Sequence, residues 1–138
     1  MEIAKLVPEL ICSGIEQSLK FYTEVLEFKV IYARQEERFA YLERDGAQLM
    51  IEQSTDRRFL AGDLEQPYGR GMNLQIKVTD IDALYAKVQA AKAKIYLPLE
   101  EKAYRRDTTY FLSCQFIVQD PDGYLLRFFQ DMGIQAKP

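Results

Sequence analysis

Histidine and tryptophan are both missing from this 138-residue chain. Without an imidazole, it lacks the side chain that most often acts as a general base near neutral pH and the most frequent metal ligand. Without tryptophan, stacking on a flat ligand falls to tyrosine and phenylalanine. Cysteine is scarce: Cys12 and Cys114 both lie in apolar, strand-like segments with no partner at metal-ligand spacing, and they read as buried reduced thiols. No apolar run approaches the ~18–20 residues of a membrane helix. Nor does the N-terminus show a basic segment followed by an apolar one. A soluble, cytoplasmic protein with no membrane partner is expected. The net charge is −3 with a pI near 5.1, and the basic residues are scattered rather than striped, so nucleic acid is not an expected partner. The mild acidity is compatible with a cationic small molecule.

What is present supports one packed domain, since 48% of the residues are apolar. Lys5 to Cys12 reads as a strand, which Pro8 confines to an edge or to a position not needing that amide. From Ile15 to Leu26, the apolar stripe Ile15, Leu19, Tyr22 and Leu26 has helical spacing, with Ser13 as its expected cap. Phe28 to Ala33 and Arg38 to Glu43 alternate as strands around a polar Arg34-Gln-Glu-Glu37 turn. Asp45-Gly46 then turns the chain into Ala47 to Glu52. Residues 53–71 read as a long polar loop. Met72 to Val78 is a strand, Asp80 caps a helix from Ile81 to about Ala91, and Ile95 to Leu99 is short and extended. Residues 100–110 are charged and read as a loop with an edge strand. Asp120-Pro-Asp-Gly123 is a tight-turn signal closing the final hairpin of 114–119 and 124–129.

The order strand, helix, three strands therefore occurs twice. Cys12-Ser-Gly-Ile15 aligns with Val78-Thr-Asp-Ile81, 66 positions on, and Asp45-Gly46 aligns with Asp122-Gly123, 77 positions on. An insertion of 11 residues in the second half accounts for the difference between these two offsets.

Strand alternation divides each repeated strand into two rows. Leu6, Pro8, Leu10 and Cys12 are expected under a helix, with Val7, Glu9 and Ile11 opposite. Leu74, Ile76 and Val78 oppose Asn73, Gln75 and Lys77. Leu49 and Ile51 oppose Gln48, Met50 and Glu52, and Leu126 and Phe128 oppose Leu125, Arg127 and Phe129. The second rows mix polar and apolar residues, which suits a binding surface as well as a solvated face.

Ser18-Leu-Lys-Phe21-Tyr22-Thr-Glu-Val-Leu26-Glu-Phe28, Val78-Thr-Asp80-Ile81 and Asp120-Pro-Asp-Gly123 together resemble the vicinal oxygen chelate superfamily, the glyoxalase/bleomycin resistance/dioxygenase fold. The resemblance implies an α+β fold of two tandem βαβββ modules, each a curved half-barrel sheet with its helix outside. Here they would be module 1 at about 5–52, a loop at 53–71 and module 2 at about 72–130. Many enzymes of the group hold a divalent metal with one side chain from the first and last strand of each module. Carried over, those positions are Val7, Met50, Asn73 and Arg127, with a register uncertainty of about two residues. Arginine repels a cation and the set offers no carboxylate, thiolate or imidazole, so no metal or other cofactor is expected. Glu9 and Glu52 lie on the same rows.

The hairpin Arg34 to Glu52 and the segment Pro67-Tyr68-Gly69-Arg70-Gly71 further resemble the metal-free bleomycin resistance proteins. That resemblance implies a homodimer sequestering a flat cationic antibiotic in a cleft without catalysis. The expected ligand-binding residues are Phe39, Tyr41, Glu52, Phe59, Tyr68, Asn73, Tyr104, Arg127 and Phe129, with Glu9 and Glu43 also offsetting positive charge. The alternative is a metal-independent enzyme of the superfamily acting on a small anionic substrate, held by Arg127 and Lys77 with Glu52 or Tyr104 moving a proton.

Overall fold

A computed structural model describes residues 2–54 and 56–135. The chain forms two units, residues 1–70 with 121–123 and residues 71–120 with 124–138. Each is built on a four-stranded mixed sheet with one principal helix.

In the first unit the elements are β1 (Glu9–Ile11), α1 (Ile15–Lys20) running into a π-helical turn at Phe21–Val25, β2 (Lys29–Arg34), β3 (Phe39–Arg44) and β4 (Ala47–Glu52). The strand order is β1-β4-β3-β2, with β1 parallel to β4. The hairpin at Asp45-Gly46 follows from local chemistry. Both residues have positive φ, 50° and 91°, which asparagine, aspartate and glycine tolerate best. Leu10, Leu42, Leu49 and Ile51 on the strands and Tyr22 and Leu26 beyond α1 are all nearly or wholly buried. Each such side chain stabilises the fold by roughly 1.5–3 kcal/mol relative to exposure.

The second unit repeats the plan with β5 (Asn73–Lys77), α2 (Ile81–Ala90), β6 (Lys94–Arg106), β7 (Thr109–Gln119) and β8 (Leu125–Gln135), in the order β5-β8-β7-β6. Asp80 caps α2 by accepting the amide of Ala83 at 3.1 Å. Ile81, Leu84 and Val88 of that helix pack toward Phe116, Val118, Leu126 and Phe128. Tyr85 lies 5.0 Å from Phe116, and Phe116 stacks on Phe128 at 5.5 Å.

The duplication extends to individual hydrogen bonds. Glu9 pairs with Met50 across the parallel strands of the first sheet, and Gln75 pairs with Arg127 in the second. The amide of Cys12 donates to the carbonyl of Glu52 at 2.9 Å, as that of Val78 donates to Phe129 at 2.8 Å. The first amide of α1, on Ile15, donates to the side chain of Gln53 at 2.9 Å, and the first amide of α2, on Ile81, to that of Gln130 at 3.0 Å. These pairs keep the 66- and 77-residue offsets read from the sequence.

Several expectations are corrected. The β1 strand is three residues long, because Pro8 has no amide and contributes only its carbonyl, to Met50 at 2.9 Å. Leu6 therefore lies outside the sheet, 86% exposed, while Ile11, expected on the opposite row, is buried. Ser13 does not cap α1; Gly14 holds that position, and the Ser13 side chain bonds to Asp122 instead. Residues 100–110 include the expected edge strand, but a two-residue turn at 107–108 stands in place of the loop. They lie in the long β6–β7 hairpin, where β6 tolerates charge and Pro98 because it is an edge strand, with register shifts between Ile95 and Glu100. Cys12 is buried and Cys114 partly so, and neither forms a disulfide. No helix among the described residues is long and apolar enough to cross a membrane.

Candidate functional site

On each sheet the row opposite the helix gathers the groups capable of binding chemistry. In the first sheet, β2 and β3 pair Tyr32 with Tyr41 and Arg34 with Phe39, while β3 and β4 pair Tyr41 with Met50 and Phe39 with Glu52. Tyr32 stacks on Tyr41, with ring centres 5.2 Å apart and planes within 14°. The Arg34 guanidinium lies 4.1 Å from the centre of Phe39 and forms an ion pair with Glu37. Phe39 and Tyr41 are thereby covered, whereas Tyr32 remains 43% exposed. Tyr41 also donates its hydroxyl to Gln48 at 2.5 Å. The exposed stacking surface is thus Tyr32, which was not among the expected ligand-binding residues. Its strand register opposite Tyr41 is the signal that would have found it.

Glu9 and Glu52 bring negative charge to the same row. The Glu9 carboxyl is held above its ordinary range, first by burial and then by repulsion from Glu52, while Arg34 acts in the opposite sense. Glu43 is engaged locally, accepting the amide of Gly46 at 2.6 Å across the hairpin.

In the second sheet, the corresponding row opens into a depression of about 580 Å³ that brings Tyr104, Arg127 and Phe129 together. Arg127 donates from Nη2 to Gln75 at 2.7 Å. Tyr104 donates to Gln115 at 2.9 Å, and Gln115 in turn donates to Glu100 at 3.1 Å.

The remaining expected residues lie elsewhere. Tyr68 lines a cavity of about 530 Å³ in the first unit together with Cys12, Ser13, Arg38 and Gln53. Phe59 is 68% exposed, in the short 3-10 turn Arg57–Phe59, and Asn73 is an exposed residue at the start of β5.

The chain matches the Glyoxalase/Bleomycin resistance protein/Dioxygenase superfamily over residues 3–128. It belongs to that superfamily. A glyoxalase/bleomycin resistance protein/dioxygenase superfamily member from Vibrio splendidus is 44% identical, over 91% of this chain and 97% of that one, with a TM-score of 0.43. TioX from a Micromonospora species is 20% identical, over 94% of this chain and 100% of that one, with a TM-score of 0.69. A protein of unknown function from Agrobacterium tumefaciens is 22% identical, over 94% and 95% of the two chains, with a TM-score of 0.72. No curated protein matches the chain.

The strand register revises the positions at which enzymes of the superfamily hold metal. Val7 precedes β1, and the residue beside Met50 is Glu9; in the second sheet Gln75, not Asn73, lies beside Arg127. A carboxylate next to a thioether, and an amide next to a guanidinium, do not fit a divalent ion. Among the described residues, no three histidine, cysteine, aspartate or glutamate side chains are grouped to share one.

Proposed function

We propose that this superfamily member binds a flat, cationic small molecule of the bleomycin type and holds it without altering it, in the clefts of a homodimer. The observation that carries this reading is the Tyr32 ring, exposed above Tyr41 on the row that also bears Glu9 and Glu52. A planar cation laid on Tyr32 gains stacking area and a cation–π contribution of roughly 0.5–2 kcal/mol. It also relieves the repulsion between the two carboxylates, a gain that a neutral ligand of the same shape lacks. A homodimer is supported by the exposed apolar residues Val30, Met132 and Ile134, which a second copy would cover.

Calorimetric titration with bleomycin tests the reading, together with mass analysis of the recovered drug. Saturable binding that weakens in Tyr32→Ala, with the drug recovered at its original mass, is expected. Absence of binding at micromolar drug overturns it. Chemical conversion of the drug, or turnover of a small anion instead, moves the assignment to metal-independent catalysis. Light scattering at micromolar protein checks the dimer.

A further inference from the structure

We infer that the depression on the second sheet is an anion site, built for a small planar carboxylate such as an aromatic or conjugated acid. Arg127 stands in this depression with one donor unused: its Nε–H is buried and has no hydrogen-bond partner. Its Nη2 donates to Gln75, a neutral amide that leaves the guanidinium charge uncompensated. Among the described residues, no ion pair joins Arg127 or the neighbouring Arg106 to a carboxylate.

The acidic groups nearby are already engaged. Glu100 accepts the Gln115 amide at 3.1 Å, and Asp131, which also lines the depression, accepts the amide of Gly133 at 2.9 Å. Two arginines and one aspartate lie along its wall, with Glu100 behind Gln115, so its positive charge is local to Arg106 and Arg127. An arginine with a buried, unpartnered Nε–H and no carboxylate partner favours an anion, and its flat fork matches a carboxylate better than it matches a single point charge.

The walls specify the rest of the ligand. Phe129 supplies apolar, aromatic surface beside the arginine, whereas a face of Phe111 is already held by the Arg106 guanidinium, 4.2 Å from its ring centre. A planar acid presents one edge to Arg127 and a face to the Phe129 ring. Inorganic phosphate has the charge but no apolar body, so it gains nothing from the ring. An aromatic amine has the body but the wrong sign.

The test uses the full chain and titrates benzoate, phosphate and benzylamine by calorimetry or by shifts of amide resonances. Saturable benzoate binding is expected, at least about tenfold tighter than phosphate, with no saturation by benzylamine. Arg127→Gln is expected to weaken benzoate at least about tenfold and Arg127→Lys, which keeps charge but loses the fork, to fall between. Phe129→Leu is expected to weaken benzoate while leaving phosphate unchanged, which separates the ring from the charge. Circular dichroism confirms that each variant is folded. Benzoate that fails to saturate, binds Arg127→Gln as well as the parent, or binds no better than phosphate overturns the assignment.

Discussion

Asp122 receives both donors of Ser13, the backbone amide at 2.9 Å and the hydroxyl at 2.5 Å, although the two residues stand 109 positions apart. It also accepts the Gln66 side chain at 2.8 Å, and its carbonyl accepts the amide of Tyr68 at 2.7 Å. The carboxylate is 1% exposed. Truncation would remove three hydrogen bonds to a carboxylate and empty the buried space it fills, so Asp122→Ala is expected to cost about 2–4 kcal/mol and Ser13→Ala about 1 kcal/mol. Urea denaturation reads both as a lower midpoint at constant slope.

Gly123 is the more demanding half of the same turn. A Cβ there would lie 2.4 Å from Cβ and 2.9 Å from Cα of Pro67, at a φ of +100°. Gly46, at φ +91°, has nothing within 4 Å of its position for a Cβ. Gly46→Ala therefore meets only the backbone strain of a positive φ, about 1 kcal/mol, whereas Gly123→Ala adds a clash to that strain and is expected to lose at least ~2 kcal/mol. Equal losses in thermal melts would refute this distinction.

Glu9 separates folding from binding. Its folded carboxyl titrates above the ordinary value because burial, then Glu52, disfavour the charge, with Arg34 opposing them. The folded state thus holds its proton more tightly than the unfolded chain. Its effect on stability becomes less favourable as pH rises from the ordinary carboxylate value through the raised one, and is constant above. Glu9→Gln at neutral pH is expected to melt no lower than the parent while binding bleomycin severalfold more weakly. Parental drug binding should also weaken as pH falls through the raised value.

Arg34 competes with the proposed ligand, because its guanidinium already occupies the face of Phe39. Arg34→Ala is expected to tighten binding of a planar cation, whereas Tyr32→Ala weakens it by about 0.5–2 kcal/mol. Titrations showing both variants weaker would mean that the ligand contacts Arg34 directly.

Where burial alternates, the sequence was readable. Leu49 and Ile51, Leu126 and Phe128, the Asp80 cap and the Asp45-Gly46 hairpin all follow from local pattern, and matching turn motifs exposed the duplication. What escaped depends on partners distant in the chain. Gln53 and Gln130 cap helices that begin 38 and 49 residues away, so no local motif marks them. The β6–β7 extension was hidden because charged residues on an edge strand do not alternate as a half-buried strand does. Phe39 and Tyr41 were identifiable as aromatics on the binding row, but only strand register reveals that Tyr32 and Arg34 lie over them.

The outer flank of β6 leaves a thirteen-residue strand with one side unpaired by any neighbour in its sheet. Such a flank invites a second molecule to add itself strand by strand. Pro98 withholds an amide along it, and Glu100, Glu101, Lys102, Arg105 and Arg106 make stacking of like copies electrostatically costly. The same charges that obscure this strand in the sequence act as gatekeepers against fibril growth.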